Sequence, residues 1–394
     1  MVATDEFSHR LQAIHHLAAT LADRKAPLAE AAARDAGFPV KITTLEVDLA
    51  VDYLRSMAEE IPWVEKGRPY GTVAAILPYD APAVMLARLG GAALFTGNRL
   101  RFSFSSWTPR SAAILAEAVA GLSTLNAVVG IDNRRFGADC VADATVRVLF
   151  ISGASAVGEA YRAHRNAFDK LFFAGPGGMP VAVVFPDADA DAASRFITRR
   201  AFINGGQYCT TIKKALIHRS LYDAVRERIL EGAARLQIGD PLDPATDIGP
   251  IRVERTRALL GRALDLCTGA RRLAGSIDQE WVVPLIVEIE AIPDLELFGP
   301  FLALKAFDDA QAAVEEAIRT RYGFLLAFFG TPPEGGRELF RSHFGMVHEN
   351  PSFLFTPLRL PFGGKKSSGW ILERTGNHWN ERDGAFIYSK ELLR

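Results

Sequence analysis

Between residues 71 and 329, short runs of β-branched and aromatic residues alternate with helical stretches, and this alternation leaves few folds open. "GTVAAIL" (71–77) ends at Pro78, and a helical stretch from Pro82 to Phe95 closes at Gly97-Asn98. "LRFSF" then places Leu100, Phe102 and Phe104 on one face of a strand. Thr108-Pro109 supplies a capping hydroxyl and a first-turn proline for the next helix. The series continues with strands at "VRVLFI" (146–151), "KLFF" (170–173) and "VAVVF" (181–185), and with helices over 155–165 and about 189–203. After Cys209 it recurs as "KALIH", a helix from Ser220 to Leu236, "FLALKAF", a helix from Asp308 to Arg319, and "FLLAFF". Parallel strands need crossover connections, so the expected class is α/β with helices on both sheet faces. Two such halves meet near Cys209, where a ligand cleft is expected.

A chain of 394 residues exceeds one ordinary core and implies two domains. Its net charge of −1 gives no electrostatic reason for a nucleic-acid or anionic-membrane partner. The N-terminal stretch carries charges throughout instead of a signal peptide's apolar core, and Phe7, Leu11, Ile14, Leu17 and Leu21 mark an amphipathic helix. The longest apolar run, "YGFLLAFFG", falls far short of the ~20 residues that cross a bilayer. Cys140, Cys209 and Cys267 are odd in number and far apart, which suits neither a disulfide framework nor a zinc site. A cytoplasmic protein without a metal is expected. The eight histidines show no paired metal spacing, and His218 reads as a satisfied polar residue.

Cys209 lies in "INGGQYCTT", behind two glycines and a glutamine. Alone it reads first as a small buried apolar residue. "SGASAVG" sets Gly153 and Gly158 at a strand-to-helix turn, where backbone N–H groups can meet a phosphate, but the strict G-x-G-x-x-G spacing is missing. "AGPGGMP" follows another strand and reads equally as a tight reversal.

Taken in order, "GTVAAILPYDAP", "LFTGNRL", "ISGASAVG", "GPGGMPVAVVFPDADAD", "FINGGQYC", "GDPLDPATDIGPI", "LFGPFLAL", "RYGFLLAFF" and "PFGGKKSSG" resemble the aldehyde dehydrogenase superfamily over roughly residues 60–390. The resemblance implies a Rossmann-type cofactor domain (1–178), an α/β catalytic domain (179–369) and a C-terminal oligomerisation tail (370–394). It implies a homodimer or higher homo-oligomer, with "GAFIYSK" as an intermolecular strand. It makes Cys209 the nucleophile that attacks an aldehyde and carries the acyl group as a thioester, with its own backbone N–H in the oxyanion hole. It puts Asp80 at the family's oxyanion-binding position and gives Glu296 the nicotinamide ribose. Leu77, Pro78, Tyr79, Ser103, Ser106, Gly153, Ala154, Gly158, Gly175 and Phe298 complete the expected cofactor contacts, for NAD or NADP.

Four positions depart from the hydrolytic members. Gly175 stands where they carry the glutamate that activates water, a catalyst typically worth ~10²–10⁴-fold. Asp80 replaces an asparagine, and an ionised carboxylate there repels the developing oxyanion and raises the thiol pKa. Ser103 replaces a ribose-binding lysine, and Ser106 replaces the glutamate of many NAD-preferring members, which leaves Arg99 or Arg101 as candidates for a 2′-phosphate. "RFSFS" and "AGPGGMP" resemble the CoA-acylating branch instead. The favoured reading is therefore interconversion of an aldehyde and a Cys209-bound acyl thioester, with release to CoA or a carrier thiol. Hydrolysis to a free carboxylate is the first alternative, and a catalytically silent structural or regulatory member is the second. Tyr79, Tyr208 and Phe353 are expected at the substrate entrance, suiting an apolar or aromatic aldehyde.

Overall fold

The computed structural model describes residues 2–163 and 169–394. Two seven-stranded sheets account for the alternation. In the first, strands Thr72–Leu77, Arg99–Phe104, Leu125–Val128, Val146–Gly153 and Leu171–Pro176 pair in parallel. The period-two pattern separates its faces. Val73, Ala75 and Leu77 join the core beneath the N-terminal helices, whereas Ala74 and Ile76 pack against Phe136, Phe172 and Trp370 on the other side. The helix expected over 155–165 spans Ser155–Ala163, and residues 164 and 165 lie outside the described residues.

The second sheet has a parallel centre of strands Val181–Val184, Lys214–His218, Phe301–Phe307, Leu325–Phe329 and Met346–Glu349. Trp281–Glu288 pairs in parallel beside Phe301–Phe307, and Arg271–Asp278 closes that edge as an antiparallel hairpin partner. Arg271–Asp278 carries many polar and exposed positions, which hid it in the sequence.

Helix Pro82–Thr96 is buried along its whole length, between the first sheet and helices Val2–Asp23 and Val40–Arg55. Pro82 occupies the first turn, and Gly97 ends the helix at φ 75° with its N–H donating to the Ala93 and Leu94 carbonyls. Its N-terminal neighbour Ala81 has no capping side chain. Glu46, from a different helix, fills the gap by accepting from the N–H groups of Ala83 and Val84.

The C-terminal segment extends the first sheet. Trp370–Thr375 pairs antiparallel with Leu171–Pro176 of the same chain, and His378–Asp383 pairs outside it. "GAFIYSK" forms no strand: Phe386 makes a single bridge to Phe362, and Tyr388–Glu391 is a short helix. Phe386 and Tyr388 are buried against Phe150 and Phe173, so hydrophobic burial overrides the strand pattern. No described helix is long and apolar enough to cross a membrane.

Trp370 anchors the added hairpin. Its indole is buried against Gly158, where a Cβ would come within 2.9 Å of the ring. Trp370→Ala is expected to lower stability by about 3–5 kcal/mol in a denaturant titration. Limited proteolysis should then cut first within 374–382, and an unchanged cleavage pattern would show that the indole does not hold the hairpin.

Candidate active site

The chain after Phe202 cannot continue as helix, because Asn204, Gly205 and Gly206 adopt φ of 52°, 60° and 67°. Two glycines in three make that run of left-handed backbone accessible. Gly206 has a second reason to lack a side chain, since a Cβ there would lie 2.1 Å from the Gly299 carbonyl oxygen. The Gly299 N–H donates to the Gly206 carbonyl at 2.9 Å, and the buried Lys213 ammonium donates to both carbonyls, at 2.8 and 2.5 Å. Lys213 has no acidic partner in this contact, and desolvation pushes its pKa well down. It clasps the Cys209 loop to the loop bearing Glu296 and Phe298.

Arg200 holds the other side of Cys209. Its guanidinium donates to the Thr210 and Leu354 carbonyls, at 2.9 and 2.5 Å, while its Nε lacks a partner. Burial lowers its pKa to about 10.

A cavity of about 200 Å³ opens beside Cys209 at the junction of the two halves. Cys209, Asp80, Glu296, Leu77, Pro78, Tyr79, Gly153, Ala154, Gly175 and Phe298 all line it. Ser103 does not; it is buried and donates to Asn133, which does line the cavity. Ser106 is exposed apart from it, with Ser105 and Trp107 facing inward instead. Gly158 stands against Trp370. Arg99 is exposed, and Arg101 is engaged by Asp143 at 3.7 Å and by the Phe136 ring. Tyr79 and Tyr208 line the cavity, whereas Phe353 packs edge-on against Phe196 and His348, and Phe355 takes a lining position.

Asp80 is only 5% exposed, and its Oδ2 accepts from the Cys209 backbone N–H at 3.3 Å. The amide that the sequence reading assigned to the oxyanion is therefore held by a carboxylate. Burial raises the Asp80 pKa to about 6, against the main-chain N–H groups of Asp80, Cys209 and Ala81, which favour its ionised form. The Cys209 thiol is pushed well above its ordinary value, by burial first and Asp80 second; Arg88 and Arg200 oppose the shift. A neutral thiol thus faces a readily ionised carboxyl.

Two further lining residues escaped the sequence reading. Arg88 is 2% exposed, and its guanidinium stacks on Phe362 at 3.9 Å and faces Tyr388 at 5.9 Å. Its Nε and Nη2 have no hydrogen-bond partner. The signal was present, because Arg88 is the one charged residue of the apolar stretch 82–96. Glu46, 3% exposed, also faces the cavity, and burial raises its pKa to about 8.

At the turn before helix Ser155–Ala163, Glu296 Oε2 accepts from the Ser155 N–H at 3.0 Å. Glu296 Oε1 and the Ser155 hydroxyl are buried without partners. Gly177 keeps the space beside them open, since a Cβ there would meet Glu296 and Phe298 at 3.0 Å. An unpaired acceptor and an unpaired hydroxyl at a helix start fit the ribose and phosphate of a nucleotide.

The description "Aldehyde dehydrogenase family" matches residues 2–382. A lactaldehyde dehydrogenase of Methanocaldococcus jannaschii is 28% identical over 91% of this chain and 83% of its own length. A succinate-semialdehyde dehydrogenase [NADP(+)] of Mycobacterium ulcerans is 29% identical over 79% and 70%, and a 3-sulfolactaldehyde dehydrogenase of Priestia aryabhattai 26% identical over 91% and 81%. Among solved structures, the glyceraldehyde-3-phosphate dehydrogenase GapN of M. jannaschii, complexed with NADP, superimposes with a TM-score of 0.84. It is 26% identical and covers 98% of this chain and 88% of its own.

Glu46 yields a stability prediction. Its folded pKa, about 8, lies above the unfolded value of 4.5, so its contribution is complete below pH 4.5 and is lost as pH rises through 8. Glu46→Gln retains an acceptor for Ala83 and Val84 and removes the titration. The wild-type melting temperature should fall by several degrees between pH 5 and 9, and the variant should lose that slope. Parallel curves would exclude Glu46 as the source.

Proposed function

The chain belongs to the aldehyde dehydrogenase family, and from that premise we propose that it oxidises a small aldehyde bearing an anionic group and releases the free acid. Membership makes it an NAD(P)-dependent oxidoreductase of aldehydes. The substrate class rests on one observation, the Arg88 guanidinium, which is buried at the cavity wall with two nitrogens unpaired. A buried guanidinium with unpaired N–H donors is unfavourable, and a carboxylate, sulfonate or phosphate on the aldehyde removes that cost. The relatives named for lactaldehyde, succinate semialdehyde and 3-sulfolactaldehyde act on small polar or anionic aldehydes by their names, which supports this class. The apolar or aromatic aldehyde suggested by the lining tyrosines is the weaker choice.

Cys209 attacks the carbonyl carbon, and the acyl group remains on its sulfur. When bound, the nicotinamide cofactor supplies the hydride acceptor. Glu296 and Ser155 would hold its ribose and phosphate, and Gly177 leaves the room for it. Lys213 keeps Glu296 and Cys209 in fixed relation through Gly299 and Gly206. Water is the acceptor in this reading because the cavity holds the Asp80 carboxyl beside Cys209, even though position 175 is glycine. Release to CoA is the second reading, favoured by Gly175 itself. A homodimer or larger homo-oligomer is part of the proposal, and sedimentation of the purified chain tests it.

The functional test is cofactor reduction with NAD and NADP over paired anionic and neutral aldehydes, with and without CoA, beside Cys209→Ala as blank. Turnover independent of CoA supports release to water; a requirement for CoA overturns it. Arg88→Met should lower the ratio of kcat/KM for anionic over neutral aldehydes by about a hundredfold, the scale of a buried charge contact. An unchanged ratio would remove Arg88 from substrate recognition. Absence of turnover and of nicotinamide-cofactor binding would leave the silent-member reading.

A further inference from the structure

We propose that Asp80 is a catalytic residue that serves Cys209 twice, first as the base that takes the thiol proton and then as the acid that donates to the oxyanion. The inference rests on the aldehyde-oxidising reading given above. Three observations combine to support it. The Asp80 carboxylate holds the Cys209 main-chain N–H, so the carboxyl group is in contact with the nucleophile's own residue. Both line one cavity, and Gly175 supplies no carboxylate there. The titratable groups of the cavity that feel the Asp80 charge are Glu46, Tyr79, Tyr208 and Cys209. Burial raises the two tyrosines far above neutrality, and Glu46 is mostly protonated at pH 7 while it caps helix Pro82–Thr96. Arg88, the cation that lowers the thiol most, cannot accept a proton. Asp80 is thus the group of this set able to act as a base near neutrality.

The proton inventory closes. As the sulfur–carbon bond forms, the thiol proton passes to Asp80 and the carbonyl π pair moves to oxygen. Asp80 becomes neutral at the moment when a negative charge appears beside it, which removes the repulsion that an ionised aspartate would exert. A neutral carboxyl is also a weaker acceptor, so the Cys209 N–H is released, and the Asp80 O–H and the Cys209 N–H together become the oxyanion donors. Once the carbon has lost its hydride, for which a bound nicotinamide would be the acceptor, and Asp80 has lost its proton to solvent, the same carboxylate accepts the proton of the attacking water. The carbon–sulfur bond then breaks and the thiolate leaves. One carboxyl performs the work divided elsewhere in the family between an amide and a distant glutamate.

The decisive measurement is the rate of Cys209 alkylation by iodoacetamide on the cofactor-free full chain, as a function of pH and localised by mass spectrometry. Wild type, Asp80→Asn and Asp80→Glu are compared, with Cys209→Ala as blank. Base assistance predicts a wild-type rate that rises through an inflection between pH 5 and 7. It also predicts a loss of that inflection and at least a tenfold slower reaction in Asp80→Asn at pH 7, with the inflection kept in Asp80→Glu. If Asp80 merely repels the thiolate, removing its charge must speed alkylation, and an equal or faster Asp80→Asn overturns the proposal. A wild-type profile without an inflection overturns it whether or not the variants fold. In turnover, kcat of Asp80→Asn should fall by about 10²–10⁴-fold. Wild-type inactivity toward every aldehyde would sink the functional reading alone, because alkylation needs neither cofactor nor substrate.

Discussion

The hydrogen bond from the Cys209 amide to Asp80 crosses the boundary between the two sheets, and the chemistry of the site depends on it. Asp80 follows the strand Thr72–Leu77 of the first sheet, while Cys209 precedes Lys214–His218 of the second. Each half positions one partner by its own packing, so the contact exists only where the two halves meet. Supporting contacts run across the same boundary: Tyr79 meets the Thr256 hydroxyl at 3.2 Å, Lys41 pairs with Asp247, and Arg252 donates to the Ala33 and Arg34 carbonyls. The geometry of the site is here a property of the contact between the two sheets rather than of either sheet.

Around this contact the protein buries charge without pairing it. Lys213 and Arg200 donate to backbone carbonyls, which fixes the three loops that carry Cys209, Glu296 and Leu354. Leaving such groups without counter-ions is unfavourable for folding, and the loss is tolerated because an apolar contact could not specify loop position as sharply. Arg88 differs. Its nitrogens meet aromatic faces and empty space, so its stabilisation is incomplete until something negative arrives.

The fold was legible where periodicity was strong. Every strand of the parallel centres that the pattern marked is present, because a strand buried on both faces must be apolar throughout. The edges were not legible. Arg271–Asp278, Trp370–Thr375 and His378–Asp383 expose polar residues and pair through backbone groups, which leave no side-chain signature. Cys209, Asp80 and Glu296 were identified through motif order, and the structure brings them to one cavity. Arg88 and Glu46 carry no motif signature and stand out only as charges among apolar neighbours. A lone arginine in an apolar helix and a glutamate on a buried helix face are both physically expensive, and expense marks function as surely as a motif does.

The substrate and the base are coupled through charge. The Arg88 cation and a mostly protonated Glu46 line one cavity, with Asp80 near its titration point at neutral pH. An anion settling on Arg88 cancels a positive charge near Cys209 and excludes further water. Both effects favour the protonated form of Asp80, so its affinity for the thiol proton rises as the substrate binds. A neutral aldehyde brings only the second effect. Selectivity then resides partly in the proton transfer and not wholly in the contact with Arg88, and it is expressed in kcat as well as in KM.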